Sequence, residues 1–254
     1  MRTAGWTDSV TVLDRLTAVF DAFGEHDEGL GVSELARRAN LPKSTVSRIA
    51  GDLVAQRLLD REGGKLYLGV RLFELAQTVE KPRRLRHLAL PVMTELRDVT
   101  GHTVSLGVLD GSDVVILGVV RAAGGCAPPA SVGGRLPAHA TALGKALLAF
   151  SARETVERIV QEGLAQRTSR TTTEAGMLAR ELADVRRLGV ATDTEEWAKD
   201  RACAAGAILG QGGAPVAALS VTAPATDATP ERLAPAVRAA AMTLSRRLDP
   251  AHHG

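Results

Sequence analysis

The chain has 254 residues, 45% of them hydrophobic, 24% charged and only 3% aromatic, with a formal net charge of +2. Such a length favours two domains, each with its own core, and the composition excludes a disordered or fibrous chain. The near balance of charge excludes a uniformly basic polyanion binder but leaves room for a local basic surface. The scarcity of rings argues against single-strand binding on aromatic platforms, and no apolar run approaches the roughly 18 residues of a membrane span.

Met1 to Val10 lacks the apolar core of a secretory signal. From Val10 to Phe23, Leu13, Leu16, Phe20 and Phe23 recur at helical spacing, and Gly24 stops the helix. After the polar stretch Glu25 to Gly29, Ser33 is expected to cap a short helix through Ala39 that buries Leu35 and Ala36, with Asn40 as a left-handed terminator. Pro42 opens the next helix, where its missing N–H costs nothing. So short a connection is that of a helix-turn-helix.

The helix from Pro42 to Gln56 has an apolar side, Val46, Ile49 and Leu53, and a polar side, Ser44, Ser47, Arg48 and Gly51. Small residues let a helix sink into the major groove, and Arg48 can reach a guanine edge or a phosphate. Lys43, Ser44 and Thr45 stand at the amino-terminal end, where free N–H groups favour a phosphate. Leu58 to Leu68 reads as two short strands around Gly63-Gly64, the hairpin of a wing, with Arg61 and Lys65 flanking its tip. Taken singly, Ser44 and Ser47 read more simply as solvated residues of a surface helix; together and beside a wing, they read as part of a recognition face. Arg37, Arg38, Lys43, Arg48, Arg57, Arg61 and Lys65 outnumber Glu34, Asp52, Asp60 and Glu62 in this stretch, which makes the local surface basic.

Leu72, Leu75, Ala76 and Val79 mark a further helix, which Pro82 is expected to break. The basic run Arg83, Arg84 and Arg86 reads either as a solvated linker or as a DNA-backbone contact. A long helix comes next, with Leu85, Leu88, Val92, Leu96 and Val99 in register, ending before Gly101. The period then changes to two, with strands Val104 to Leu109 and Val114 to Val120 around Asp110-Gly111-Ser112. Ala122 to Gly134 reads as a loop, Ala142 to Phe150 as a helix, Ser151-Ala152-Arg153-Glu154 as a capping box opening another, and Glu174 to Leu188 as a third. Strands return at Gly189 to Asp193, about Cys203 to Leu209, and Val216 to Thr222, before a final helix from Thr229-Pro230 carrying Leu233, Val237, Leu244 and Leu248. This order predicts an α+β fold with one antiparallel-rich sheet. The expected division is 1–69 for the DNA-binding domain, 70–82 for a linker helix and 83–254 for the second domain.

Leu41-Pro42-Lys43-Ser44-Thr45-Val46-Ser47-Arg48, Leu136-Pro137-Ala138-His139-Ala140-Thr141-Ala142-Leu143-Gly144-Lys145-Ala146, and Ala217-Ala218-Leu219-Ser220-Val221 with Pro224 resemble the hallmark segments of the IclR family of bacterial transcription regulators. The likeness covers nearly the whole chain, and the His-Ala-Thr-Ala-x-Gly-Lys-Ala run is its most specific part. It implies a winged helix-turn-helix, a linker helix and a GAF-like domain that binds a small-molecule effector. It also implies homodimers or homotetramers on palindromic sites in double-stranded DNA, more often repressing than activating. The effector residues it implies are Ala142, Leu143, Asp193, Cys203, Ser220 and Thr222, with a small carboxylate or aromatic acid as the expected ligand.

The chemistry of those positions is compatible with this role. Ser220 and Thr222 lie two apart on one strand and share a face, and the helix start at Ala142 and Leu143 favours an anion. Each hydroxyl alone also reads as a strand residue bonded to its neighbour. Asp193 either orients a ligand or caps the turn before Glu195, Glu196 and Trp197. The family usually has arginine directly before the cysteine, whereas here Arg201 precedes Cys203 by two, which leaves open whether Arg201 enters the pocket.

The rival reading is a cysteine-dependent enzyme with His139 as base to Cys203, or a redox or metal sensor built on Cys203. Cys203 among alanines reads more simply as a small buried side chain, and His252 and His253 read as a tail. The two cysteines, Cys126 and Cys203, form no C-x-x-C pair. No enzymatic activity, cofactor or metal is therefore expected, and the expected location is the cytoplasm.

Overall fold

The computed structural model describes residues 11–24, 27–124, 127, 130–226 and 229–248. The readings made for Met1 to Val10, Glu25, Cys126, His252 and His253 lie outside the described residues. The chain divides into two compact units, Met1–Glu80 and Lys81–Gly254.

In the first unit, α1 (Val12–Asp21) is opened by Thr11, whose hydroxyl accepts the Asp14 N–H at 3.1 Å while the Asp14 carboxylate accepts the Thr11 N–H at 2.7 Å. This reciprocal box satisfies amide donors left free by the first turn. The inward stripe runs through Val19, which is buried, and Leu16, Phe20 and Phe23, which are half-buried against the same core. Leu13, expected on that face, lies one turn beyond the core and is 72% exposed.

Helix α2 (Val32–Arg38) starts from Gly31, with no side-chain cap, instead of from Ser33. The reason is the chain before it: Leu30 exchanges both backbone hydrogen bonds with Leu66, at 2.9 and 2.8 Å, and the helix begins as soon as that pairing ends. Ser33 is thus inside the first turn. Asn40 ends the helix at φ 52°, the left-handed geometry expected of it. Helix α3 (Lys43–Ala55) comes directly after Pro42 and buries Val46, Ile49, Ala50 and Leu53. Strands β1 (Leu59–Glu62) and β2 (Lys65–Leu68) pair antiparallel, and Gly63 and Gly64 both have positive φ, 56° and 80°, as a two-residue type I′ turn requires. This is a winged helix-turn-helix. Helix α4 (Val70–Gln77) buries none of its residues, and Phe73, Leu75 and Val79 near it are exposed.

The helix break falls at Thr78, whose hydroxyl donates to the Leu75 carbonyl at 2.8 Å, and not at Pro82. Pro82 sits in the first turn of α5 (Glu80–Thr100), where no amide donor is needed.

The second unit continues from α5 with β3 (Thr103–Asp110), β4 (Asp113–Val120), β5 (Arg135–Pro137), α6 (Ala142–Phe150), α7 (Arg153–Glu162), α8 (Ala175–Leu188), β6 (Ala191–Thr194), β7 (Arg201–Leu209), β8 (Pro215–Pro224) and α9 (Pro230–Leu248). The strands form one six-stranded antiparallel sheet in the order β5-β4-β3-β8-β7-β6. Strand alternation sends Leu106, Ala204, Leu219 and Val221 into a core with α5 and α9, and Ile116, Cys203, Ala205 and Ala218 into a second core with α6 and α8. The expected α+β class holds.

Two local expectations fail, and one strand is not foreseen. The Ser151 capping box does not form, because the Ser151 hydroxyl donates back to the Leu147 carbonyl of α6 at 2.9 Å and α7 starts after Ala152 with no side-chain cap. Val99 and Leu188, expected on buried faces, project from the ends of α5 and α8 into solvent. Strand β5, at three residues, is too short to register as a period-two pattern.

Candidate functional site

Two sets of residues carry chemistry, one in each unit. In the first unit, Val46, Ile49, Ala50 and Leu53 anchor α3, which leaves Lys43, Ser44, Ser47 and Arg48 exposed along its outer face and Thr45 half-buried. The helix start has no side-chain cap, so its first N–H groups remain available to an acceptor. Arg61 and Lys65 are exposed on the two strands of the wing, next to its glycine turn. The Lys65 ammonium donates to the Glu28 carbonyl at 3.1 Å, a tether that leaves its charge unneutralised.

The basic surplus of this unit is smaller than the residue count suggests. Arg38 pairs with Asp27 at 2.7 Å and with Glu34 at 2.9 Å, and Arg37 pairs with Glu34 at 2.5 Å. The Arg37 and Arg38 guanidiniums beside Glu34 hold its carboxyl at about 2. Positive charge is therefore concentrated on Lys43, Arg48, Arg57, Arg61 and Lys65 rather than spread over α2.

In the second unit, Ala142, Leu143, Asp193, Cys203 and Ser220 line one cavity, together with Leu136, Thr141, Trp197, Ala198 and Arg201. Its volume is about 20 Å³, room for about one water molecule. The register explains the convergence: Asp193 of β6, Cys203 of β7, Thr222 of β8 and Thr103 of β3 are successive cross-strand partners, and Ser220 stands between Ala205 and Ser105 in the adjacent row. Thr222 is buried behind the lining, its hydroxyl 3.3 Å from Cys203 Sγ. Arg201 is two residues from Cys203, shares its face and does enter the cavity lining, with one guanidinium nitrogen donating to the Ala127 carbonyl at 2.9 Å.

Asp193 takes the capping part and also borders the cavity. Its carboxylate accepts the Glu196 N–H at 2.8 Å, which fixes the turn that carries Trp197 over the cavity. Burial pushes its carboxyl up to about 7, against the pull of the Glu196 and Trp197 amides and of Lys145.

Lys145, within the His-Ala-Thr-Ala-x-Gly-Lys-Ala run, has no chemistry assigned to it by sequence pattern and proves to be the anchor of this turn. Its side chain is only 3% exposed, and its ammonium meets Glu196 and Glu181 at 2.6 Å each. Burial alone would lower its pKa, but the two carboxylates outweigh that and hold it above the ordinary lysine value. Thr168 and Thr171 donate to the Glu195 and Glu196 carbonyls, at 2.7 and 2.6 Å. Gly144 is required at the start of α6: a Cβ there would stand 2.1 Å from the Ala138 carbonyl oxygen. The neighbouring Thr141 hydroxyl caps the helix by accepting the Gly144 N–H at 3.2 Å.

His139 is buried, its Nε2 3.0 Å from the Ala165 carbonyl, and burial lowers its pKa. Both it and Cys203 are thus engaged locally, His139 with a backbone carbonyl and Cys203 with Thr222. Among the described residues, no three His, Cys, Asp or Glu side chains are grouped as a metal site.

Comparison with known proteins accounts for both units. The family model described as the IclR helix-turn-helix domain matches residues 12–63, and that described as the bacterial transcriptional regulator IclR C-terminal domain matches residues 77–246. The transcriptional repressor IclR of Escherichia coli (strain K12) is 30% identical over 236 residues, 91% of this chain and 86% of that protein. The HTH-type transcriptional repressor AllR of Klebsiella pneumoniae is 32% identical over 232 residues, 87% of this chain and 82% of that protein. An IclR homolog from Microbacterium hydrocarbonoxydans, solved in complex with 4-hydroxybenzoate, superposes with a TM-score of 0.85 at 31% identity, covering 94% of this chain and 99% of that one. With both of its units matched in order, the chain belongs to the IclR family of bacterial transcriptional regulators.

Proposed function

We propose that this protein is a repressor whose hold on a palindromic promoter site changes when the cavity beneath α6 takes up a small organic acid, an aromatic carboxylate being the first candidate. One observation carries the reading: the start of α6, Asp193, Cys203, Ser220 and Arg201 converge on a single small cavity although they are distant in sequence. The Ala142 and Leu143 amides, which the Thr141 cap on Gly144 does not take, and the Arg201 guanidinium favour an anionic oxygen ligand. Leu136, Leu143, Ala198 and Trp197 supply the apolar walls for its body. The 4-hydroxybenzoate held by the Microbacterium hydrocarbonoxydans homolog is a ligand of this class.

In this reading residues 1–69 bind DNA, 70–82 connect and 83–254 receive the effector. Lys43, Ser44, Thr45, Ser47 and Arg48 of α3 enter the major groove, while Arg61 and Lys65 of the wing meet the backbone. The exposed apolar residues Val70, Phe73 and Leu75 of α4 support assembly into a homodimer or homotetramer, which a palindromic site requires. The effector acts by favouring one arrangement of paired DNA-binding domains over another, with a coupling of about 1–3 kcal/mol. The chain works in the cytoplasm and without catalysis; Cys203 serves as a small wall residue and not as a nucleophile.

A mobility-shift titration on the protein's own promoter, with and without benzoate and hydroxybenzoates, tests the proposal. An acid is expected to shift the midpoint about fivefold or more, and Ser220→Ala with Thr222→Val is expected to move the acid concentration required. A double variant that responds as the parent does would place the effector elsewhere.

A further inference from the structure

Ser105 of β3 is 0% exposed, and its hydroxyl has no hydrogen-bond partner among the described residues. A buried hydroxyl without a partner forfeits its hydration for nothing, and such groups are rare enough in folded proteins to require a cause. The fold does not supply one locally, since alanine or valine would suit a central strand at this position as well or better.

The register shows what Ser105 stands next to. It pairs directly with Ser220 of β8, so both side chains leave the same face of the sheet as neighbours. Ser220 lines the cavity, and Ser105 lies one strand beyond it. In the adjacent row the polar groups are already engaged: Cys203 meets Thr222, Asp193 holds the Glu196 amide, and the Thr103 hydroxyl accepts from the Ala122 N–H at 3.4 Å. The cavity of about 20 Å³ must widen to take anything larger than about one water molecule. Widening past Ser220 toward Ser105 uncovers a polar group that gains a partner, while widening toward Ala205 or Ala218 uncovers only methyl groups.

We propose that Ser105 is a ligand-contacting residue of the effector cavity, pairing with Ser220 to hold a second oxygen-bearing group, so that the preferred effector is a hydroxylated acid rather than a plain monocarboxylate. The inference rests on the reading of the cavity as an acid-effector site. The division of donors comes from the geometry: a carboxylate is satisfied by the first amides of α6, and the two serine hydroxyls remain for a ligand hydroxyl, which both donates to and accepts from them. A ligand without that hydroxyl leaves the pair unsatisfied, the arrangement by which sites reject analogues lacking a polar group.

The test uses the full chain, calorimetric titration with benzoate and 4-hydroxybenzoate, and thermal melting without ligand. The parent is expected to prefer 4-hydroxybenzoate by about fivefold to tenfold, the worth of one hydrogen bond. Ser105→Ala should bind benzoate as the parent does, lose most of the preference, and melt without ligand at the same or a higher temperature. A Ser105→Ala variant that keeps the preference, or that melts several degrees lower without ligand, would overturn the role of Ser105 while leaving the acid reading intact. Ser105→Thr, which keeps a hydroxyl, should retain part of the preference; if it loses as much as alanine does, shape and not hydrogen bonding is responsible. Binding of neither acid by the parent would overturn the acid reading and this inference together.

Discussion

The two functional regions of this chain are built in opposite ways. On α3 and the wing, the side chains assigned to DNA are mostly exposed, and the fold depends on the residues beneath them, Val46, Ile49, Leu53, Leu59 and Leu66. Around the cavity, the groups proposed to meet the effector are part of the core: Asp193, Cys203, Ser220 and Thr222 are all buried, and Lys145 ties the turn above them to α8 through Glu181. An exposed reading face can be altered without cost to folding, whereas a buried receiving site exchanges stability with its ligand. That linkage is what allows occupancy to change the conformation of a regulator.

The sharpest way to break this contrast is at Lys145. Lys145→Met removes the cation from two carboxylates, one of which, that of Glu196, is largely buried, and removal of one partner of a buried ion pair costs about 3–5 kcal/mol. Chemical denaturation monitored by circular dichroism should show the second unit unfolding at markedly lower denaturant. A loss below about 1 kcal/mol would mean that the turn over the cavity is held chiefly by Thr168 and Thr171.

Asp193 gives the next largest effect, and its sign is fixed. Burial raises its carboxyl from 3.8 to about 7 in the folded chain, so the folded state holds more protons than the unfolded state between those values. Its contribution makes stability fall as pH rises through that window and level off above about pH 7. The decline is on the order of 3 kcal/mol. Asp193→Asn stays neutral throughout and retains an oxygen for the Glu196 amide, so it should remove most of the decline and be the more stable protein at pH 8. Melting curves from pH 5 to pH 8 decide it; parallel curves for parent and variant would show that solvent reaches the carboxylate. By the same logic an anionic effector should bind more tightly at pH 6 than at pH 8, where the carboxylate opposes it.

On the exposed side, Arg48→Ala should weaken binding to the promoter site by about 1–3 kcal/mol and leave the melting temperature unchanged. Mobility shifts at fixed salt measure the first and thermal scans the second. An equal loss on unrelated DNA would make Arg48 a phosphate contact rather than a base contact.

How much of the molecule is legible in its sequence depends on the range of the interactions involved. The apolar periodicity of α3 and the Gly63-Gly64 turn are local, and both hold. The polar stripe of Ser220 with Thr222 is legible for the same reason, since residues two apart on a strand share a face, whereas the side taken by Arg201 is open in the sequence and is decided only by its place in the cavity lining. Lys145 with Glu196, 51 residues apart, carries no local signal, and neither does Ser105, whose meaning depends on its pairing with Ser220 of β8. The caps fail for an intermediate reason. A serine at a helix start is a local feature, but whether it caps depends on where the preceding chain comes from: the Leu30 pairing moves the start of α2 forward, and α6 takes the hydroxyl of Ser151.

The smallest predicted effect tests the dependence of a cap on the chain before it. Ser33 has the composition of a cap for α2, yet Gly31 occupies the cap position and makes no side-chain hydrogen bond. Ser33→Ala should therefore change stability by no more than about 0.5 kcal/mol, and in the favourable direction, because alanine is the better helix former inside a first turn. Thr11→Ala is its counterpart, since Thr11 does hold the Asp14 amide, and its loss should cost about 1 kcal/mol. Denaturation midpoints of the two variants, measured side by side, set a residue that has the composition of a cap against one that has its geometry. Equal losses would mean that α2 starts at Ser33 in solution and that the Leu30–Leu66 pairing does not set its first turn.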